Sequence, residues 1–175
     1  MSRLVPCLRS LAVAFLLIGW AVQAAPAAAE APLPPSRFSQ TLQAAGLKHT
    51  HPKPDTWKVE AQGSNFTPQV LILQSGKFCY FLVPLFKVPA NASASFYQHV
   101  LRLNGDLPQV KFCLTRQDNL YAAYEVPLRL LDEGEFLACT QALAILADRN
   151  YPELKAKARY VGEGGVPESD FGKDF

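Results

Sequence analysis

The sequence lacks the motifs that identify the common enzyme and nucleotide-binding classes. It contains no GxSxG, HExxH, P-loop, GxGxxG or EF-hand pattern. It also has no CxxC pair, no Cys/His cluster and no cluster of Lys and Arg, which a metal site or a nucleic-acid-binding surface would need. We therefore predict a non-enzymatic protein with no catalytic, cofactor-binding or metal-binding residues and no nucleic-acid partner.

Histidines are few, and each has a simple explanation. His49 and His51 could place two imidazoles on one side of an extended segment and bind a metal. The prolines of residues 49–54 (HTHPKP) instead indicate an exposed connector, because proline blocks both a helix and a central strand. His99 has no Ser or Cys partner nearby in the sequence, so we expect it on the flank of a helix.

No apolar run is long enough for a typical membrane span, but the N-terminal residues predict export. Arg3 and Arg9 precede the run Leu11–Val22, and small residues then favour cleavage before Ala25, as in a secretory signal peptide. A spanning helix needs about 20 apolar residues and this run is shorter, so an uncleaved membrane anchor is the less favoured alternative. Loss of Arg3 and Arg9 reduces the 17 basic residues to 15, against 15 acidic. We expect a periplasmic or secreted protein without charge-driven or inserted membrane binding.

The predicted mature chain keeps an odd number of cysteines: Cys79, Cys113 and Cys139. At least one thiol is therefore unpaired within the chain. The simplest interpretation is three small buried residues. A Cys79–Cys113 disulfide is the alternative if their strands are neighbours, because an exported protein can be oxidised.

About 150 mature residues suit one domain. Residues 25–35 form an Ala/Pro-rich linker, and residues 161–175 are Gly-rich and acidic, which predicts a disordered tail. Residues 36–160 are left to fold, with no internal repeat. The pattern predicts helix, three strands, helix, two strands, helix, with a kink or new turn at Pro152: helices at 36–45, 92–103 and from 132, and strands at 56–61, 69–74, 78–86, 110–114 and 120–126.

Local signals in the second half are the clearest. Asn104-Gly105 predicts the end of the middle helix, and residues 117–119 (QDN) predict a hairpin turn. Asp132 is a predicted N-cap, and Glu135 three residues later predicts a capping box. Asp132, Glu133 and Glu135 could be read as an acid/base set, but a helix start accounts for all three.

Two apolar runs, 69–74 (QVLILQ) and 78–86 (FCYFLVPLF), predict central strands that are at least partly covered on both faces. If one face lacks a helix, its apolar surface would serve a dimer or ligand interface. A dense set of aromatic residues belongs either to the core or to a surface that binds a partner chain: Trp57, Phe78, Tyr80, Phe81, Phe86 and Tyr97.

Five segments carry a resemblance to a known family: Leu101–Asn104 (LRLN), Lys111–Leu114 (KFCL), Leu120–Leu128 (LYAAYEVPL), Leu131–Phe136 (LDEGEF) and Leu146–Leu154 (LADRNYPEL). They resemble the YbjN family, whose fold is like that of type III secretion chaperones. The resemblance implies an α+β fold with a twisted antiparallel sheet of about five strands and helices on one face.

The resemblance, with the predicted export, favours a non-enzymatic, chaperone-like binding protein that acts through a sheet surface or edge. Its partner would be another protein or a second copy, since chaperones of this fold dimerise. One alternative is a small-ligand or metal-binding regulator, in line with the family's description as sensory transduction regulators. A second alternative is a hydrolase with an unrecognised site.

Overall fold

A computed structural model describes residues 31–159, which form one six-stranded antiparallel sheet with three α-helices on one face. The sheet order is β1-β2-β3-β4-β6-β5, so β1 and β5 are the two edges. The elements are α1 (Phe38–Ala44), β1 (His49–Lys53), β2 (Thr56–Glu60), β3 (Gln69–Ser75), β4 (Phe78–Lys87), α2 (Ala94–Asp106), β5 (Lys111–Leu114), β6 (Asn119–Pro127) and α3 (Glu133–Ala158), with short 3-10 turns at Pro35–Arg37 and Leu128–Leu130.

The predicted α+β class, antiparallel sheet and one-sided arrangement of helices are confirmed, with six strands in place of five. The predicted signal peptide, its cleavage site, residues 25–30 of the linker and the C-terminal tail lie outside the described residues. Leu33, within the segment predicted to be a linker, is buried, and its N–H donates to the Leu131 carbonyl at 2.6 Å. None of the helices within residues 31–159 is long and apolar enough to cross a membrane.

The additional strand is β1, and the prediction that residues 49–54 form an irregular connector was wrong. Thr50 pairs with Lys58 and His49 with Val59, followed by an irregularity before Lys53. Pro52 is tolerated because β1 is an edge strand, where a missing N–H need not interrupt a central ladder.

The middle helix does not end at Asn104-Gly105, as predicted, but continues to Asp106. Asn104 uses its side-chain amide outside the helix: Oδ1 accepts from the Phe112 N–H at 2.7 Å, and Nδ2 donates to the Phe112 carbonyl at 3.0 Å. The Nζ of Lys111 donates to the carbonyls of Asn104 and Leu107, so it covers the negative end of the helix. Because of these contacts with β5, the helix continues past the stop that Asn104-Gly105 predicted.

A kink or a new turn was predicted at Pro152, but helix α3 includes Pro152 and continues to Ala158, so no separate turn starts there. Proline lacks the N–H that would bond to the carbonyl four residues earlier, which belongs to Asp148. That carbonyl instead accepts a hydrogen bond of 3.0 Å from Nδ2 of Asn65, which lies in the β2–β3 loop. A tertiary hydrogen bond thus satisfies the helical carbonyl that Pro152 leaves open.

The main core lies between the helices and the facing side of the sheet. Phe81, Val83 and Phe136 are among its fully buried members, and the Phe81 and Phe136 ring centroids are 5.8 Å apart. The hairpin turn predicted at residues 117–119 is confirmed, with Asp118 in the left-handed region at φ 63°. Apolar side chains of α1, α2 and α3 all enter this one core, which leaves the opposite sheet face without a helix from the described part of the chain.

Candidate functional site

The face of the sheet opposite the helices carries a second apolar cluster. Cross-strand partners lie on the same face, and the register pairs Leu71 with Leu82, Leu82 with Ala123 and Leu73 with Tyr80. We call the set the open-face cluster: buried Leu71, Leu82 and Tyr121, with partly buried Leu73, Tyr80 and Ala123 around them. All six come from the central strands β3, β4 and β6, and none comes from a helix.

Apolar surface extends from this cluster toward one end of the sheet. Phe78 is 38% exposed, and its ring centroid lies 6.3 Å from that of Tyr80. Tyr80 is paired with Glu125, which is exposed. A sheet face that no helix of residues 31–159 covers, and that carries aromatic and aliphatic side chains, has the composition of a protein-binding surface.

A cavity of about 290 Å³ lies on the same face near the β1 edge. We call it the edge cavity; its lining includes Lys48, Thr50, Lys58, Glu60 and Gln69. Thr50 pairs with Lys58, and Lys58 pairs with Leu71 of the open-face cluster, so the cavity and the cluster adjoin. The Nζ of Lys48 lies 2.8 Å from Glu60 Oε2, and both side chains are exposed to solvent.

Neither edge of the sheet offers a long, regular strand for pairing with another chain. On β5, the two bonds from Asn104 already occupy the backbone N–H and carbonyl of Phe112. On β1, Pro52 removes a donor, the register is irregular, and Lys53 adds an exposed charge. Proline, lysine and irregular pairing all discourage edge-to-edge association. The open face is therefore the better candidate for a binding surface.

The β2–β3 loop, next to the edge cavity, is fixed by a single carboxylate of α3. Asp148 accepts the backbone N–H groups of Ser64, Asn65 and Phe66 at 3.0, 2.8 and 3.1 Å. Desolvation acts to raise the pKa of Asp148, but these bonds outweigh it, and the pKa lies below its ordinary value. Gly63 is required for this close approach, because a Cβ there would lie 2.5 Å from Asp148 Oδ1.

The two histidines that were considered as metal ligands interact with different neighbours. His49 Nδ1 lies 3.0 Å from the Leu47 carbonyl oxygen, whereas the His51 ring stacks on Trp57 with centroids 4.6 Å apart. Within residues 31–159, no group of three or more His, Cys, Asp or Glu side chains is placed to hold a metal ion. His99 lies on α2, with Nε2 3.5 Å from Glu153 Oε1 of α3, so its role is at a helix–helix contact.

The acidic residues at the start of α3 also have separate structural roles. Asp132 accepts from the Glu135 N–H at 2.7 Å, which confirms the N-cap. Glu133 lies 3.6 Å from Arg37, on the surface. Glu135 does not complete the predicted capping box with its carboxylate; its Oε1 accepts from the Tyr124 hydroxyl and the Cys139 thiol, both at 3.4 Å. The three residues therefore do not form a shared acid/base site.

The three described thiols are free and are not activated. Cys79 and Cys113 lie on β4 and β5, which are separated by β6, so the condition for the alternative disulfide is not met. Burial raises the pKa of Cys79 to about 12 and also raises the pKa of Cys113. Desolvation, with the neighbouring Glu135, raises the pKa of Cys139. Nucleophilic cysteines need the opposite shift, so these thiols are suited to packing.

Sequence reasoning located the aromatic residues only in part. Of the six aromatic residues considered, Phe78 and Tyr80 lie on the open face and Tyr97 lies exposed on α2; the other three are buried on the helix side. Leu82 belongs to the apolar run 78–86, which had already indicated apolar residues on both faces, but Tyr121 was not assigned to a binding surface. The consecutive apolar residues 120–124 (LYAAY) of β6 were the signal that could have found it.

Comparison with known families gives one match that covers most of the chain. Residues 34–156 match the model of the family YbjN, described as "Putative bacterial sensory transduction regulator". No curated protein matches the sequence.

Two solved structures share the fold at low sequence identity. One is YbjN of E. coli, described as "a putative transcription regulator", with a TM-score of 0.57, 13% identity and coverage of 73% of this chain and 94% of that chain. The other is a chain of the heterodimeric ExoU–SpcU complex from the type III secretion system of Pseudomonas aeruginosa, with a TM-score of 0.51, 17% identity and coverage of 67% and 96%. At these identities the similarity establishes the fold alone.

Proposed function

The chain belongs to the YbjN family, and from this premise we propose that it is an exported, non-enzymatic binding protein whose open sheet face receives another protein chain. The observation that carries the proposal is the apolar area left by the partly buried residues of the open-face cluster, Leu73 and Tyr80, and by the exposed Phe78, on the side that no described helix covers. A small domain that keeps such a surface gains a site where a partner can bury apolar area.

Two further observations bear on the proposal. Raised pKa values of the buried thiols disfavour nucleophilic cysteine chemistry, and the acidic residues of α3 are engaged in capping, a surface ion pair and local hydrogen bonds. The structural relative from P. aeruginosa occurs in a heterodimeric complex, which is consistent with a protein partner for this fold. Export rests on the N-terminal sequence, and N-terminal sequencing of the protein from a periplasmic fraction, starting at Ala25, would test it.

The binding proposal is tested by co-purification from a periplasmic extract with the double variant Leu73→Thr/Tyr80→Thr. Threonine is compatible with strands and removes apolar surface from the open face. The matched control is Leu101→Gln/Ile145→Gln, which removes side chains 70% and 67% exposed on the helix side. We expect partners of the wild-type protein to be retained by the control and lost by the open-face variant.

Equal retention of every partner by both variants would exclude the open face as the binding surface. Light scattering on the mature protein distinguishes a second copy from another protein as the occupant. A wild-type dimer that becomes monomeric only in the open-face variant would identify the second copy as the partner. A monomer that retains no protein in the extract would contradict the proposal.

A further inference from the structure

Three residues of the open-face cluster are buried more deeply than the described helices explain. Leu71, Leu82 and Tyr121 are 4%, 1% and 1% exposed, yet no helix of residues 31–159 packs on them. Pro84 and Cys113, the cross-strand partners of Tyr121, can shield its sides but not its outer end. An antiparallel sheet with one face in water ordinarily carries polar side chains there. Apolar character and deep burial together point to a further segment over the cluster.

Helix α3 ends where the following residues can turn toward this face. It runs in the same direction as β4, because Phe136 near its start lies 5.8 Å from Phe81 and Tyr151 near its end lies 6.0 Å from Phe86, between ring centroids. Asp148 also fixes α3 to the β2–β3 loop. The chain therefore leaves α3 at the end of the sheet where β4 finishes and β3 begins.

Residues 160–175, which follow the described part of the chain, are long enough to pass around this end. The path from Tyr151 back to Leu82 is roughly 35 Å: the last turns of α3 take about 10 Å, the helix layer about 10 Å and the return along β4 about 13 Å. The twelve residues that end at Phe171 span up to about 40 Å, and the sixteen that end at Phe175 up to about 55 Å.

The composition of this segment fits the path and the surface. Gly162, Gly164 and Gly165 come directly after α3, where the chain would have to turn around the end of the sheet, and glycine permits such turns without steric cost. Phe171 and Phe175 follow where the path reaches the cluster, and their rings are suited to its apolar surface.

We infer that residues 160–175 of the same chain lie across the open-face cluster, with Phe171 and Phe175 packed on it, and that a partner protein displaces them. The inference rests on the proposed function and adds the regulation of that site. An attached segment acts at an effective concentration in the millimolar range, so modest contacts are enough to occupy the face. Only a protein that binds the face better than the segment does is then retained.

The first experiment is photo-crosslinking of the purified full mature chain with benzoylphenylalanine at position 80 of the open face. Position 101, which is exposed on α2, is the matched control. Trypsin cleaves after Arg159 and Lys173, so residues 160–173 are released as one fragment that contains Phe171. We expect this fragment to be linked to position 80, in a product of monomer mass, and not to position 101.

The second experiment measures binding of a labelled synthetic peptide of residues 160–175 to full-length mature proteins. They are the wild type, the segment variant Phe171→Ser/Phe175→Ser, the open-face variant and the control Leu101→Gln/Ile145→Gln. An attached segment at an effective concentration about ten times the Kd leaves about a tenth of the face free. We therefore expect the segment variant to bind the peptide about 10-fold more tightly than the wild type or the control, and the open-face variant to bind it weakly.

The outcomes separate this inference from the proposed function. A position-80 product without residues 160–173, or equal peptide binding by the segment variant and the wild type, overturns the inference; the proposed function stands if the open-face variant still loses its partners. A product of twice the monomer mass identifies a second copy as the occupant and also overturns the inference. The expected cross-link, with partners retained equally by the wild type and the open-face variant, supports the intramolecular contact and overturns the proposed function.

Discussion

Replacing Asn65 by alanine tests how the β2–β3 loop stabilises helix α3. The Nδ2 group of Asn65 donates to the Asp148 carbonyl at 3.0 Å, and a longer contact of 3.3 Å reaches Asp148 Oδ2. The carbonyl is available because Pro152, four residues later, has no N–H to give. The variant Asn65→Ala removes the only described side chain that satisfies this carbonyl.

The expected cost follows from the number of bonds lost. A hydrogen bond contributes about 0.5–1.5 kcal/mol net, so two bonds of unequal quality at a solvent-accessible site should be worth about 1–2 kcal/mol of unfolding free energy. Pro152 is exposed, so Pro152→Ala can restore the helical N–H without leaving a cavity. In that background Asn65→Ala should lose only the longer contact and cost about half as much.

The assay is urea unfolding followed by circular dichroism for the wild type, the two single variants and the double variant. We expect a coupling free energy of about 0.5–1 kcal/mol, since both changes act on the Asp148 carbonyl. Gln109→Ala, at an exposed position between α2 and β5, should show no coupling to Pro152→Ala. Additive effects of Asn65→Ala and Pro152→Ala, within about 0.3 kcal/mol, would refute this account of the helix.

Three other outcomes are expected. The folded-state pKa of Asp148 lies below its ordinary value of 3.8, so the stability it contributes is present above that value and is lost as the pH falls through the lower folded pKa. The urea midpoint should therefore fall less steeply with decreasing pH in Asp148→Asn than in the wild type, whereas Asp106→Asn should behave like the wild type. Asn104→Ala should cost about 1–3 kcal/mol and speed hydrogen exchange at the Phe112 amide, and unchanged exchange would contradict the edge-capping role. Cys113, the most exposed described thiol, should react first with a thiol reagent in the native protein; faster labelling of either other described thiol would contradict the packing.

Local signals were sufficient for the elements whose residues interact with near neighbours in the chain. Asp132 caps α3 as predicted, and Asp118 turns the β5–β6 hairpin with a left-handed backbone. Both depend on groups within a few residues, and a pattern can report such groups.

The errors arose where a distant contact overrode a local signal. Asn104 was read as a helix stop, but its amide bonds to Phe112 of another element. Pro152 was read as a kink or the start of a new turn, but α3 continues through it, and Asn65 satisfies the carbonyl that proline leaves open. Residues 49–54 were read as a connector because a sequence does not reveal which strand becomes an edge, where Pro52 is tolerated.

The candidate site was predicted only in outline. Continuous apolar runs indicated that both sheet faces would carry apolar residues, and the open-face cluster agrees with this. The sequence could not show that the helices would all pack on one side, because the topology decides which face is covered. The edge cavity also depends on β1, whose pairing with β2 was not predicted.

Site-specific photo-crosslinking in intact cells tests the central claim most directly. A benzoylphenylalanine at position 80 would lie on the open face, and one at position 101, which is 70% exposed on α2, would probe the helix side. We predict a discrete cross-linked product from position 80 that is absent from position 101. Products from position 101 alone, or none from position 80 in an exported and folded protein, would contradict binding through the open face.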